Sequence, residues 1–516
     1  IWHDDGVYAL IGRALASGEG LRYGGVAGAL PAAKFPPLYP LTLAGVWTVL
    51  PDASRAVPLM EVFNLAFLAA AGALFARMLH RRLEFEPGWA VATGALAFLS
   101  FELWRVARVP LSEALFVLAL VAGAGAAARL DARPEDRRGL VLFLALFALA
   151  FHVRTAGIVL AVAAAAGLLL RASVRRALVV GAGAVLIVLP WTLWSRRAAA
   201  EIPGPLRDVL GPYGGWLLGQ MVDAPGLYFG TLHGQAVALL RQVTGLLVPL
   251  PPGSGTWGNA LVWGGLGILA PALILGADRI WRRSPSLLFL VGGYLALIWL
   301  WPFRDVRLVV PILPFVVLLV VEGFRWEGEG AEPVGGRASK GTDASGARDE
   351  GTGGVIRLRK AWRAAGVAWG AAFALLSCAG LLRGWGEGPY RVRALALGRA
   401  LEAVEEHTLP GAVVGAPELW SGIGIHSGRT VVPSARFLPR RSEGPLWGTP
   451  PEQFALWELA GVDFLLVEHG GRVHGEALER LRSVCGGEAA RAVERWPGAR
   501  LVKLAWDAGC RERLSG

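Results

Sequence analysis

Ten apolar blocks dominate this chain of 516 residues, and each is roughly 15 to 24 residues long, enough to span a bilayer as a helix. The blocks cover residues 57–80, 88–104, 111–130, 139–153, 155–170, 177–195, 259–277, 286–301, 306–321 and 361–382. With 54% hydrophobic and 18% charged residues, the composition excludes a disordered chain, and the three cysteines exclude a disulfide scaffold. The pattern predicts a polytopic membrane protein.

The distribution of arginine predicts how the chain is oriented. A net charge of +11 would suggest nucleic acid as the partner of a soluble protein, but here most arginines flank the apolar blocks. One set of alternate short loops holds thirteen arginines and the opposite set holds five. Because Lys and Arg are retained in the cytoplasm during insertion, the first set is cytoplasmic. The N-terminal segment, the loop 196–258 and the tail after residue 383 are then external, and we predict no nucleic-acid partner.

The predicted topology divides the chain into five parts. These are a first external loop with juxtamembrane helices (1–56), a transmembrane catalytic domain with the external loop 196–258 (57–323), a disordered cytoplasmic loop (324–360), a last transmembrane helix (361–383) and an extracytoplasmic α/β domain (384–516). An external N-terminal segment must be carried outward by a helix, so we expect a first transmembrane helix before Ile1.

The tail differs in pattern from the rest of the chain, because short apolar runs alternate there with helical stretches that carry Arg and Glu. This alternation predicts a small α/β domain. Two cysteines, Cys485 and Cys510, lie in the tail, where an external location permits a disulfide. The sequence leaves open whether they are bonded or are separate thiols, because it does not give the distance between their Cα atoms.

The topology collects charged residues from five stretches at the outer face, and charge near a bilayer marks candidate function. They are His3, Asp4, Asp5, Lys34, Arg105, Arg108, Glu113, His152, Arg154, Arg304, Asp305 and Arg307. Asp4 and Asp5 could bind a divalent cation or act as a general base, or they could merely cap the following helix. Glu113 has an equally plain alternative as an N-terminal residue of the third block.

A proline-rich segment, Lys-Phe-Pro-Pro-Leu-Tyr-Pro over residues 34–40, lies in the first external loop. The prolines stiffen the chain before a half-length apolar helix over residues 38–50, which is too short to cross a bilayer. We therefore predict an in-plane or re-entrant element.

Six short motifs follow one another along the chain: DDGVYALIGRALASGEGL, KFPPLYPLTLAGVW, RVPLSEALFVLAL, FHVRTAGIVLAV, VLPWTLW and RDVRLVVPILPF. Their order on the predicted topology resembles the GT-C class of integral membrane glycosyltransferases, especially the protein O-mannosyltransferases and the transferase that adds aminoarabinose to lipid A. The resemblance covers nearly all of residues 1–323 and is loose in the tail. It implies a mainly α fold: a GT-C transmembrane helical bundle with external juxtamembrane helices and a small C-terminal α/β domain.

The resemblance also implies an activity, transfer of a sugar from a polyprenyl-phosphate donor to a lipid or protein acceptor. The active site would lie at the extracytoplasmic face of the cytoplasmic (inner) membrane. Asp4 or Asp5 corresponds to the catalytic carboxylate, and Glu113 to the second acidic position, where the class often has Asp. Asp4 and Glu113 are the candidate ligands if a divalent metal ion is the cofactor.

Basic positions of the resembling motifs point to substrate binding. Lys34 precedes the Pro-Pro-Leu-Tyr motif that contains Tyr39, although Phe35 interrupts the usual pattern. Arg154 stands where the class often has Lys. The predicted substrate-binding set is Lys34, Tyr39, Arg108, Arg154, Arg304 and Arg307.

Physical chemistry agrees with this assignment. A polyprenyl-phosphate sugar keeps its phosphate at the interface, and the planar guanidinium of Arg pairs phosphate oxygens in a bidentate manner. An aspartate would take the proton of the acceptor hydroxyl, so we expect direct displacement with inversion. The sequence leaves two alternatives open: a transporter or flippase of lipid-linked sugars, whose charges should line a path through the midplane, and a non-catalytic cell-envelope assembly protein.

Overall fold

The computed structural model describes residues 3–223, 225–248, 255–301, 303–325, 349–384, 389–435, 449–468, 473–497, 499–505 and 507–515. Two helices form in the first loop, the segment before residue 57 that is predicted to be external: α1 (His3–Ala16) and α2 (Leu38–Val49). The helix predicted over residues 38–50 therefore forms with 12 residues. Between the two helices, the irregular segment 17–37 returns the chain to the membrane domain.

The membrane domain consists of helices joined mostly by short connections. They are α3 (Ala53–Arg82), α4 (Pro87–Phe98), α5 (Phe101–Ala107), α6 (Glu113–Ala132), α7 (Arg137–Val153), α8 (Ile158–Leu170), α9 (Val174–Glu201), α10 (Gly204–Leu210), α11 (Tyr213–Asp223), α12 (Pro225–Gly230), α13 (Leu232–Leu247), α14 (Gly255–Arg283), α15 (Pro285–Leu300), α16 (Leu313–Phe324) and α17 (Asp349–Gly384). Apolar side chains such as Leu186 (70% exposed) and Leu375 (71% exposed) face outward on α9 and α17, as a lipid-facing surface requires.

All ten apolar blocks fold as helix, but not all as single long spans. Among the described residues, six helices are long and apolar enough to cross a membrane. A seventh span would be the pair α4 and α5, which bends by 63° at residues 99–100. Three blocks fold as the shorter helices α7, α8 and α15. The protein is thus a multi-pass membrane protein.

Close contact between α14 and α16 depends on two glycines. A Cβ atom on Gly276 would lie 1.8 Å from the carbonyl oxygen of Leu319, and one on Gly323 would lie 1.9 Å from that of Ala272. Small residues let helix backbones approach in a membrane, where packing rather than the hydrophobic effect holds helices together.

The predicted cytoplasmic loop 324–360 lies largely outside the described residues, over 326–348. At its end the structure differs from the prediction, because α17 already begins at Asp349. The basic run 357–363 is rich in Arg and Lys, which are good helix formers, so it extends the last helix and does not remain a loop.

The C-terminal domain is a mixed α/β unit. Its elements are α18 (Pro389–His407), β1 (Val413–Ala416), α19 (Trp420–His426), β2 (Thr430–Pro433), α20 (Pro450–Leu459), β3 (Phe464–Val467), α21 (Gly475–Cys485), β4 (Ala490–Trp496), β5 (Ala499–Leu504) and α22 (Ala508–Ser515). The sheet order is β2-β1-β3-β5-β4, with β2, β1 and β3 parallel and β5 antiparallel to both β3 and β4. The fold class predicted from the sequence is confirmed.

The first loop also joins this sheet. Val26 forms a parallel bridge with Val431 of the edge strand β2. The amide of Val431 donates to the carbonyl of Gly25 (2.8 Å), and the amide of Ala27 donates to that of Val431 (3.1 Å). The loop and the C-terminal domain therefore lie on the same side of the membrane domain.

Candidate active site

A large cavity of about 1550 Å³ lies between the membrane domain and the C-terminal domain. Its walls come from α1, the segment 34–36, α11, α15, the segment 303–308 and, on the C-terminal side, α18 and the sheet. Its described charged lining consists of the basic residues Lys34, Arg105, Arg154, Arg304, Arg307 and Arg399 and the acidic residues Asp4, Asp305, Glu418 and Glu468. This excess of positive charge favours an anionic ligand.

Arg307 forms a short ion pair with Asp4 at the start of α1. Its Nε lies 3.0 Å from the Asp305 carboxylate. The amide of Arg307 also donates to Asp305 (3.0 Å), which fixes the backbone of this turn. The carboxylates of Asp4 and Asp305 thus share one guanidinium at the cavity wall. Asp4 and Arg307 are 303 residues apart in the sequence.

A second ion pair, between Arg154 and Glu113, lies beside the first. Arg154 Nη1 lies 2.7 Å from Glu113 Oε1 and donates to the Ser112 hydroxyl (3.2 Å), which donates to the hydroxyl of Tyr8 (3.0 Å). Glu113 is fully buried, and neither of its carboxylate oxygens accepts a well-oriented hydrogen bond from the described residues. Arg307 interacts electrostatically with Glu113 as well, so the two pairs form one charged cluster.

Local structure explains these positions. Glu113 is the first residue of α6, where the exposed amides of a helix N-terminus favour negative charge. Arg154 directly follows α7 in extended backbone, which turns its side chain away from the helix. Asn64 of α3 fixes the turn that precedes α6, because its side-chain amide donates to the carbonyls of Val109 (2.6 Å) and Leu111 (3.1 Å).

Lys34 lies in an aromatic corner of the cavity. Its ammonium donates to the carbonyl of Val209 (2.9 Å) and lies 4.4 Å from the centre of the Tyr213 ring. Burial lowers the pKa of Lys34, Asp4 acts in the opposite direction, and Arg307 lowers it further. Arg304 is exposed, and its Nε donates to the side chain of Gln235 (3.0 Å).

Of the site residues predicted from the sequence, Asp4, Lys34, Arg154, Arg304 and Arg307 line the cavity, and Glu113 reaches it through Arg154. The other three lie outside its lining. These are Asp5, Tyr39 and Arg108.

The aspartate pair is split by the geometry of α1, because successive helical residues point about 100° apart. Both are buried, but Asp4 lines the cavity, whereas Asp5 lies outside the lining and interacts electrostatically with Glu61 of α3. Arg108 interacts with the same Glu61.

Tyr39 supports the site without lining the cavity. It is buried, packs edge-on against Tyr8 at 5.1 Å between ring centres, and donates to Asn64 (3.2 Å). Through Asn64 it reaches the turn before Glu113. Its predicted role in substrate binding stays a prediction.

The sequence did not identify the contribution of the C-terminal domain. Arg399 of α18, Glu418 after β1, Glu468 after β3 and Trp496 of β4 all line the cavity. Nothing local distinguishes Arg399, Glu418 and Glu468 from ordinary surface charges, and only the docking of the whole domain brings them and Trp496 to the site. Glu468 is also a structural acceptor, for the amides of Glu418 (3.4 Å) and Leu419 (3.3 Å).

The metal prediction for Asp4 and Glu113 stays a prediction, and in the structure each carboxylate is paired with a different arginine. A different group, Glu406, His407 and Glu494, has ligand atoms within 4.8 Å of one another in the C-terminal domain. Cys485 and Cys510 are joined in a disulfide, with their Cα atoms 5.3 Å apart.

Solved structures share this architecture. ArnT from Cupriavidus metallidurans, bound to undecaprenyl phosphate, matches with a TM-score of 0.51 and 12% identity over 99% of this chain and 94% of that chain. The archaeal oligosaccharyltransferase AglB from Archaeoglobus fulgidus, in complex with an inhibitory peptide and a dolichol-phosphate, matches with a TM-score of 0.52 and 13% identity. That match covers 94% of this chain and 67% of AglB.

A second structure of an oligosaccharyltransferase from Archaeoglobus fulgidus, in complex with Zn and sulfate, has a TM-score of 0.55 at 12% identity and covers 95% of this chain and 67% of that chain. The chain has the GT-C fold. No family model and no curated protein matches the sequence. At identities of 12–13%, the similarity shows the fold alone.

Proposed function

We propose that this protein is a membrane glycosyltransferase that transfers a sugar from a polyprenyl-phosphate donor to a lipid or protein acceptor. The observation that carries the proposal is the charged cluster at the cavity, where Asp4 is held by Arg307 and Glu113 by Arg154. A carboxylate beside several guanidinium groups supplies both a base and an anion site. The similarity to structures bound to undecaprenyl phosphate and dolichol-phosphate supports this choice of donor.

The donor would bind with its phosphate against Arg307, Arg154 and Lys34. Arginine suits this task because its planar fork offers paired donors to phosphate oxygens, and Lys34 adds a point charge. Apolar side chains of α8 and α15, including Ile158, Leu297 and Ile298, line the same cavity, and we assign them to the first isoprene units. Glu113 would neutralise Arg154 until the phosphate replaces it as the partner.

The transfer step follows from these positions. The acceptor hydroxyl oxygen attacks the anomeric carbon, the bond from that carbon to the phosphate oxygen breaks, and polyprenyl phosphate leaves with the electron pair. Asp4 takes the hydroxyl proton, while Arg307 and Arg154 stabilise the charge that grows on the leaving phosphate. Attack from the face opposite the phosphate inverts the anomeric configuration.

We place the reaction at the outer face of the cytoplasmic membrane. The arginine-rich loops predict that face.

The similarity to an oligosaccharyltransferase structure in complex with Zn raises the question of metal dependence. The proposed transfer step uses no metal. A chelator that abolishes transfer, with recovery on adding back a divalent cation, would add a metal to the proposal.

The two aspartates of α1 provide a matched test. Purified protein in lipid vesicles is given polyprenyl-phosphate sugars, and the products are measured by mass spectrometry. Asp4→Asn should reduce transfer at least about 100-fold, the usual effect of losing a general base. Asp5→Asn, one residue away and outside the cavity lining, should retain most of the activity. Equal activity of Asp4→Asn and the wild type would reject the mechanism.

A further inference from the structure

A basic residue of α1 reaches from the candidate catalytic helix into the C-terminal domain. Arg13 Nη2 donates to the carbonyl of Gly424 (2.9 Å), and its Nη1 donates to that of Ile425 (3.2 Å). Both carbonyls belong to the last turn of α19, where the final carbonyls have no partner within the helix and the helix dipole favours a cation. Arg13 therefore caps a helix that belongs to another domain.

The two helices also touch near their other ends. A Cβ atom on Gly6, directly after the aspartate pair, would lie 2.3 Å from the Ser421 hydroxyl oxygen of α19. Contact this close requires glycine and fixes the distance between α1 and α19 at the level of Asp4. The backbone bridge between Val26 and Val431 is a third contact between the first loop and the C-terminal domain.

The far end of α19 lies at the cavity. Glu418 and Leu419 line the cavity and immediately precede the helix, and their amides point to the buried carboxylate of Glu468. The helix α19 is therefore a short rod that begins at the cavity wall and ends on Arg13. Both ends of the catalytic helix α1 are in contact with it.

We propose that Arg13 is a positioning residue, through which the C-terminal domain holds α1 so that Asp4 stays against Arg307. This inference rests on the proposed function, because Asp4 is taken as the base. Arg13 does not line the cavity and does not touch the substrate in this assignment. It acts by keeping the carboxylate in place.

The test compares Arg13→Ala, Arg13→Gln and Arg13→Lys in the full-length protein. Arg13→Ala should lower kcat about tenfold, with KM for the lipid donor and the acceptor within twofold of the wild type. Arg13→Lys should recover most of the rate, because an ammonium can still donate to a terminal carbonyl of α19. Arg22→Ala is the matched control, since Arg22 is exposed and its guanidinium donates to the carbonyl of Ala29 within the first loop.

Hydrogen exchange provides a readout that does not depend on activity. Arg13→Ala should increase exchange of the α1 amides, while binding of polyprenyl phosphate alone remains unchanged. If Arg13→Ala does not fold, Arg13→Gln is measured in its place. An unchanged kcat, or a reduced kcat with unchanged α1 exchange, would overturn the inference. If the wild type shows no sugar transfer, the proposed function is rejected. Faster α1 exchange in Arg13→Ala would in that case still support the contact between the two domains.

Discussion

Arg307 joins three acidic groups at the site, because it contacts Asp4 and Asp305 and interacts electrostatically with Glu113. We expect Arg307→Ala to raise KM for the lipid donor at least tenfold, since a charged hydrogen bond to phosphate is lost. The acceptor KM should change little. Donor titration at saturating acceptor is the measurement.

Arg108→Ala is the matched control for this prediction. Arg108 has the same side chain and a similar predicted location, but it lies near Glu61 and outside the cavity lining. A donor KM that changes equally in the two variants would contradict a phosphate contact specific to Arg307.

His474 predicts a pH dependence at the level of one residue. It is buried in the C-terminal domain, where its Nε2 lies 3.1 Å from the Ser434 hydroxyl, and burial lowers its pKa from 6.5 to about 3. Because the folded-state pKa is lowered, the unfolded chain binds the proton first as the pH falls. His474 therefore leaves the free energy of unfolding unchanged above pH 6.5 and lowers it below that pH, by about 1.4 kcal/mol per pH unit at most.

Tail tryptophan fluorescence during urea unfolding, measured between pH 7 and pH 4, tests this prediction. His474→Gln lacks the titrating group and should lose most of the pH dependence over that range. A variant that shows the same slope as the wild type would assign the dependence to other groups.

At the residue scale, the sequence predicts that Asp4, Glu113, Arg154 and Arg307 lie at one face, because the topology collects the ends of spans there. In the structure these residues lie together at the cavity, and their roles in catalysis and binding stay predictions. The sequence could not separate Asp4 from Asp5, since their side chains diverge only once the rotation of α1 about its axis is fixed by α2 and α19. Arg13 was missed for a related reason, because its partners are backbone carbonyls that leave no mark on the sequence.

At the scale of elements, α14 and α16 pack closely through a glycine on each helix. We expect Gly276→Leu to separate the two helices and to destabilise the protein by several kcal/mol, because its Cβ would overlap the carbonyl of Leu319. Thermal unfolding in detergent is the measurement.

Gly264→Leu is the control on the same helix. Among the residues that the structure describes, no atom outside the helix's own nearby backbone lies within 4 Å of a Cβ atom at Gly264, so a leucine there should be tolerated in the lipid-facing surface. Equal loss of thermal stability in the two variants would show that the cost comes from helix propensity or insertion and not from contact with α16.

The apolar pattern predicted where helices form but not how each one is divided. The block over residues 88–104 has no proline or charge run that marks the 63° bend between α4 and α5. Its position depends on packing, including the contact of Phe98 with Phe75 of α3 at 5.8 Å between ring centres. Such contacts between distant segments have no local signal.

For the molecule as a whole, the contact of the first loop with β2 requires that the N-terminal region and the tail share one face. We predict that face to be external. In a background with Cys378→Ala, a membrane-impermeant maleimide applied to intact spheroplasts should label Glu19→Cys and Leu409→Cys, which are exposed on the first loop and the tail. Arg133→Cys, in a predicted cytoplasmic loop, should be labelled only after permeabilisation. The reverse pattern would invert the topology and move the proposed site to the cytoplasm.

The edge strand β2 determines how the C-terminal domain would behave if it were expressed without the rest of the chain. Val431 uses both of its outward backbone groups on Gly25 and Ala27, so a fragment that starts at α18 would expose them to water. An open edge of this kind invites another copy to pair with it. Such a fragment should self-associate, and a short peptide covering residues 22–31 should keep it monomeric.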